Sequence, residues 1–97
     1  MGTTPEGKVK KKVKDFLDKL GIYHFSPPGM GLGRAGIPDI IACHRGRFIA
    51  IECKAGDNQV TPLQARELDR IVSAGGKAFV VRESNIDKLE ELIWTQI

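Results

Sequence analysis

The stretch from Pro38 to Lys54 constrains this chain more than any other. Ile40-Ile41-Ala42-Cys43 and Phe48-Ile49-Ala50-Ile51 are apolar runs too short for helices, and Arg45-Gly46 lies between them, where glycine permits a two-residue turn. Two antiparallel strands are expected, and such a turn also fixes their register. His44 faces Arg47, each step back along one strand matches a step forward along the other, and Asp39 arrives opposite Glu52. Side chains directly opposed in an antiparallel pair have Cβ atoms about 4.5–5.5 Å apart, where two carboxylates repel unless a cation lies between them. Lys54, two residues after Glu52, shares its face, while Ile49, Ile51 and Cys53 point to the other. A three-residue turn with a bulge at Gly46 would slip this register by one.

The flanks supply the other elements. Thr4-Pro5, or Thr3 followed by Glu6, reads as a helix start. Val9, Val13, Phe16, Leu17 and Leu20 then recur at helical spacing until Gly21, giving a helix from about Pro5 to Leu20. Ile22–Phe25 is a short strand candidate. Ser26–Ile37, with two prolines and four glycines, is a loop. Thr61-Pro62 opens a second helix with Leu68, Ile71 and Val72 as its stripe before Gly75-Gly76. Lys77–Arg82 is a strand, and Ser84 caps a last helix striped by Ile86, Leu89, Ile93 and Ile97. The order is α-β-β-β-α-β-α.

With 97 residues and 41% hydrophobic composition, the chain suits one domain with one core, spanning residues 1–97. Positions 1–54 hold ten bases and five acids, and positions 55–97 hold five and seven, so the front half carries a positive field suited to a polyanion. No apolar run approaches the ~18 residues of a membrane helix, and the start lacks a signal-peptide pattern. A cytoplasmic protein is expected, in a bacterial or phage-infected host cell. Cys43 and Cys53 should lie in adjacent strands on opposite faces, which disfavours a disulfide and agrees with a reducing compartment. His24, His44, Cys43 and Cys53 show no zinc-ligand spacing, so zinc is not expected.

Ile37-Pro38-Asp39, a twelve-residue gap and Glu52-Cys53-Lys54 resemble the PD-(D/E)xK motif of restriction-endonuclease-like nucleases. With Gly36 before it and Gln64 after it, the pattern is similar to the virus-type replication-repair nuclease (VRR-NUC) domain in its standalone phage form, over Glu6 to about Arg82. The resemblance implies an α/β fold of the restriction-endonuclease type, an αβββαβ core whose mixed sheet is flanked by helices, here with an added C-terminal helix. It also implies that Asp39 and Glu52, helped by the carbonyl of Cys53, ligate Mg2+ or Mn2+, hard ions that prefer oxygen donors. Lys54 would then orient or deprotonate the attacking water and stabilise charge on phosphorus. The activity implied is a metal-dependent DNA endonuclease acting on four-way (Holliday) junctions or other branched DNA. Cutting two strands calls for two sites, hence a homodimer.

Flanking polar residues extend the expected site. Glu6 continues the buried stripe of the first helix and is a candidate further ligand or water-holding carboxylate, although with Thr3 it also makes a capping box. Gln64 falls on the apolar stripe of the second helix, and the resemblance implies that it supports Lys54 or a metal-bound water. Arg34, five residues before Asp39 in a glycine-rich loop, is a candidate phosphate contact. Lys8, Lys10, Lys11, Lys12 and Lys14 spread around the first helix, ordinarily a solvated face, with Lys8, Lys11 and Lys12 as candidates for phosphate contact. Phe16 and Trp94 read as core or dimer contacts. The competing readings are a sequence-specific or RNA-directed nuclease of the same fold, and a non-catalytic nucleic-acid-binding domain.

Overall fold

The structure is a computed structural model that describes residues 4–28 and 34–96. Helix α1 (Pro5–Lys19) begins at Thr4, whose hydroxyl accepts a hydrogen bond from Gly7 N at 2.9 Å, with Pro5 at the first helical position. The partner in the box position after Thr4 is a glycine, so Glu6 does not serve this cap. The alternative start at Thr3 lies outside the described residues.

Strands β1 (Tyr23–Phe25), β2 (Ile40–His44), β3 (Arg47–Cys53) and β4 (Lys77–Val81) form one sheet in the order β1-β2-β3-β4. The pairs β1·β2 and β2·β3 are antiparallel. The pair β3·β4 is parallel and is joined through helix α2 (Pro62–Ser73), as a parallel connection requires. At the hairpin, Arg45 and Gly46 both adopt positive φ, 53° and 78°, the pattern of the tight primed turn that matches strand twist. His44 therefore pairs with Arg47 and Ile40 with Ile51, the register expected without a bulge.

One face of the sheet carries Ile40, Ala42, Ile49, Ile51, Cys53 and Val81. They pack with Val9, Val13 and Leu17 of α1 and with Leu89 and Ile93 of α3 (Leu89–Gln96). This is the core. The opposite face, carrying Ala50 and Glu52, is covered in part by α2. Over β1 and the start of β3 it leaves Tyr23, Phe25 and Phe48 exposed. Among the described residues no helix is long and apolar enough to cross a membrane.

Several local expectations need correction. Ser84 does not cap the last helix. Asn85 does the local work: its Oδ1 accepts from Arg82 N at 2.7 Å and its Nδ2 donates to Val80 O, tying the end of β4 to a 3-10 turn (Ile86–Lys88) that leads into α3. Val72, placed on the apolar stripe of α2, is 54% exposed, while Glu67 is buried. Ile97 lies outside the described residues. Phe16 packs against the core as expected, but Trp94 is exposed and stands beside Arg45, whose guanidinium carbon is 4.6 Å from its ring centroid.

The loop entering β2 rides directly on α2. Gly36 has φ +86°, and a Cβ built there would lie 2.5 Å from the Leu63 carbonyl oxygen. Gly36→Ala is therefore expected to lose about 2 kcal/mol or more in urea unfolding at unchanged slope. Gly46→Ala, with positive φ but open space around it, should lose only about 1 kcal/mol.

Candidate metal centre

The candidate site forms where β2 and β3 stop pairing. One residue before β2, the ladder ends and the Asp39 side chain takes the place of a backbone acceptor: its Oδ2 receives the Cys53 N–H at 2.8 Å. On the other side of β3, Lys54 N donates to Val81 O at 3.0 Å. The end of β3 is thus fixed from both sides, and Glu52 and Lys54, on one face by the strand's alternation, are held where it leaves the sheet. Both are buried, Glu52 at 2% exposure and Lys54 at 7%.

Burying charge in this way is costly unless it is paired. The pairing present is incomplete. Lys54 Nζ is 3.8 Å from Glu52 Oε2, an ion pair without a direct hydrogen bond, and Glu52 Oε1 is buried with no partner among the described residues. Burial first, and then the negative charge of Asp39, push the Glu52 carboxyl up to about 8, an effect that the Lys54 ammonium only partly offsets. Asp39 also favours the protonated form as an acceptor for its hydrogen, and Glu6 adds a smaller repulsion. Glu52 therefore holds its proton more tightly than an exposed glutamate does, because the nearby ammonium offsets its burial and the Asp39 charge only in part.

Two residues of α1 border this pair. Glu6 is half-buried and within electrostatic reach of Glu52. Lys10 Nζ lies 3.6 Å from Asp39 Oδ1. Sequence reading had grouped Lys10 with a solvated face. The available signal was its position one turn after Glu6, since residues four apart on a helix share a side.

The chain is 31% identical over 87 residues to p44, a protein of Acyrthosiphon pisum secondary endosymbiont phage 1 named as a candidate nuclease, covering 87% of this chain and 89% of that one. Its fold matches a solved VRR-NUC domain with a TM-score of 0.76 and 27% identity, covering 98% of this chain and 100% of the other. The chain belongs to the VRR-NUC nuclease family. A second VRR-NUC structure, 24% identical with a TM-score of 0.69 over 96% of this chain and 88% of that one, agrees in fold. No profile of a known protein family matches the chain. The restriction-endonuclease-like α/β fold expected from the motif is the fold observed, and this VRR-NUC protein is a nuclease.

Several other residues expected at the site have partners of their own. Gln64 takes part in the start of its own helix. Its Oε1 accepts from Thr61 N at 2.9 Å while Thr61 Oγ1 accepts from Gln64 N at 3.2 Å, a reciprocal capping box that opens α2. Lys11 pairs with Asp15 at 2.9 Å and Lys12 with Glu83 at 2.5 Å, both exposed, which is how a solvated helix face behaves. Lys8 is exposed. Arg34 donates from Nε to Glu67 Oε2 at 2.8 Å. The buried Glu67 escaped notice in the sequence, although it lies three residues after Gln64 and four before Ile71 on the inward side of α2.

No three His, Cys, Asp or Glu side chains among the described residues converge as a metal cluster. Both cysteines are free, Cys43 exposed and Cys53 buried. Burial, followed by the charge of Asp39, pushes the Cys53 thiol up to about 12, so its thiolate is disfavoured at ordinary pH. A thiol reagent at pH 8 should label one cysteine per chain in the native protein and two after unfolding in urea. Rapid labelling of both in the native state would contradict this burial.

Proposed function

We propose that this nuclease is a divalent-metal-dependent endonuclease that hydrolyses phosphodiester bonds in branched DNA, four-way junctions among them, as a single domain paired in a homodimer. The observation that carries the reading is the buried, unpartnered Oε1 of Glu52 beside Asp39. Two carboxylates with an oxygen unspoken for, backed by a buried lysine, suit an ion that takes oxygen donors and keeps several waters. Mg2+ or Mn2+ fits this donor set. Asp39 and Glu52 would hold it, with the Cys53 carbonyl as the third protein oxygen. That only two side chains serve as ligands accords with the lack of a larger cluster among the described residues.

A divalent ion in this place supplies Lewis acidity toward water and phosphate. The chain's own residues do the rest. Lys54 carries a charge that burial keeps from being screened, so it can orient the attacking water and stabilise negative charge developing on the phosphoryl oxygens. Asp39 is held in place by the Cys53 N–H, which fixes one oxygen and leaves the other toward Lys10. Glu6 stands at the edge of the same cluster as a third carboxylate able to hold water. Gln64, whose Oε1 accepts from Thr61 N in the cap of α2, keeps its Nε2 as the group that can support the water beside Lys54.

Branched DNA and the homodimer rest on need. Two strands are cut by two sites related by a twofold axis, and this chain offers one. The relationship to a phage protein named as a candidate nuclease supports the nuclease reading.

Cleavage of four-way junction, flap, linear duplex and RNA should be compared with Mg2+, Mn2+ and EDTA. Cutting is expected with either metal and not with EDTA, strongest on a branched substrate. Asp39→Ala should reduce it to background, and Lys54→Ala should lower the turnover rate by roughly 10²–10³-fold with DNA binding retained. Calorimetry should show Mn2+ uptake that Glu52→Gln weakens. Undiminished cleavage by Asp39→Ala, or cleavage indifferent to EDTA, would refute the assignment.

A further inference from the structure

A groove of about 330 Å³ lies between α2 and the start of β3, away from the carboxylate pair. Phe48 forms part of its lining and is 48% exposed, although the next five residues of its strand are buried. Ile71 and Arg70 line the α2 side. Gly76 closes it against the strand: a Cβ there would come within 2.8 Å of Ile71 Cγ2 and 3.1 Å of the Phe48 carbonyl oxygen.

Arg34 and Glu67 bridge the loop and α2 beside this groove, with a smaller hollow of about 120 Å³, lined also by Arg66, against the same bridge. The Glu67 side chain is 6% exposed and that of Arg34 is 63% exposed. The guanidinium is thus anchored through Nε by a buried carboxylate while most of the side chain stays in solvent. Arg70 Nη1 lies 4.0 Å from the same carboxylate. Arg34, followed by Arg70 and Arg66, keeps the Glu67 carboxyl below its usual range. Within the groove one carboxylate, Glu67, stands against two guanidiniums, Arg34 and Arg70, which leaves it net positive.

We propose that this groove is a subsite for one unpaired nucleotide of the substrate strand, with the base against Phe48 and its phosphate at Arg34 and Arg70. Glu67 is a positioning residue that sets the direction of Arg34. The inference rests on the reading of DNA as substrate. Phe48 lies on the same sheet face as Glu52, four residues along β3, or ~13 Å at strand rise, about the rise of four nucleotides. A paired base hides its faces within the stack, whereas an unpaired base offers a ring face to an aromatic side chain. An acidic peptide would satisfy the arginines but gives no reason for an aromatic floor on the face that carries the carboxylates.

Fluorescence anisotropy in EDTA, where no cleavage is expected, tests the subsite with a fully paired duplex and the same duplex bearing a single-stranded tail. The unmodified protein should bind the tailed DNA more tightly. Phe48→Ala should raise the Kd for tailed DNA roughly 5- to 100-fold and leave the duplex unchanged. Phe48→Leu, which keeps the bulk, should behave like alanine, and Phe48→Tyr should restore the preference. Arg34→Ala should weaken binding and reduce the salt dependence by about one phosphate contact. Glu67→Ala should also weaken tailed-DNA binding although it removes a negative charge, while Glu67→Gln, which still accepts from Arg34, should stay near the unmodified value.

Equal affinity for the two DNAs, a preference that survives Phe48→Ala, or tighter binding by Glu67→Ala would each overturn the subsite, and the groove would then be left to a protein partner. Circular dichroism of each variant separates lost binding from lost folding. Metal-dependent cleavage that persists while Phe48→Ala changes nothing would sink this inference alone. Absence of both cleavage and DNA binding in the unmodified protein would sink the reading of the substrate as well.

Discussion

A buried carboxylate is tolerable only if something offsets its charge, and Glu52 is the group around which the rest of this molecule is arranged. It lies in a strand whose other inward residues are aliphatic, with Lys54 close enough to attract it but too far to hydrogen-bond. Asp39, which could have relieved the strain by turning away, is held by the Cys53 N–H. The fold therefore maintains two acids side by side in a poorly solvated place. A stable protein gains nothing from that arrangement by itself, which is why a cation is the natural completion.

The two faces of the sheet divide the work. The face under α1 and α3 is a dry aliphatic core, and its packing fixes the strands rigidly. The other face carries polar and aromatic groups and is only partly covered by α2. Because strand residues alternate, the same seven residues of β3 supply the core through Ile49, Ile51 and Cys53 and the working surface through Phe48 and Glu52. A functional group on such a strand inherits the rigidity of the core one residue away.

Helix α2 and the loop before β2 are joined at two points. Gly36 meets the Leu63 carbonyl so closely that a side chain would not fit, and Arg34 meets Glu67 through a charged hydrogen bond. The chain segment that delivers Asp39 is therefore braced against the helix that roofs the sheet. Any motion of α2 would be felt at the Asp39–Glu52 pair through Gly36, and at the groove through Arg34.

The hairpin was legible from the residues alone, because a two-residue turn at Arg45-Gly46 leaves one register and the side-chain period of a strand then decides which residues share a face. From that follows the meeting of Asp39 with Glu52 and Lys54, while the element order and the helical half of the core follow from the cap, proline and stripe signals of the flanks. What contacts a polar side chain makes was not legible. Gln64 and Arg34 have the right spacing for a site, yet Gln64 Oε1 also closes its own helix cap and Arg34 is aimed by a glutamate 33 positions away. Lys10 and Glu67 look like ordinary surface charges until α1 and α2 are docked on the sheet. Periodicity and turn chemistry are local and can be read along the chain. Pairing between charges on different elements depends on a few ångströms of packing, and only the tertiary structure decides that.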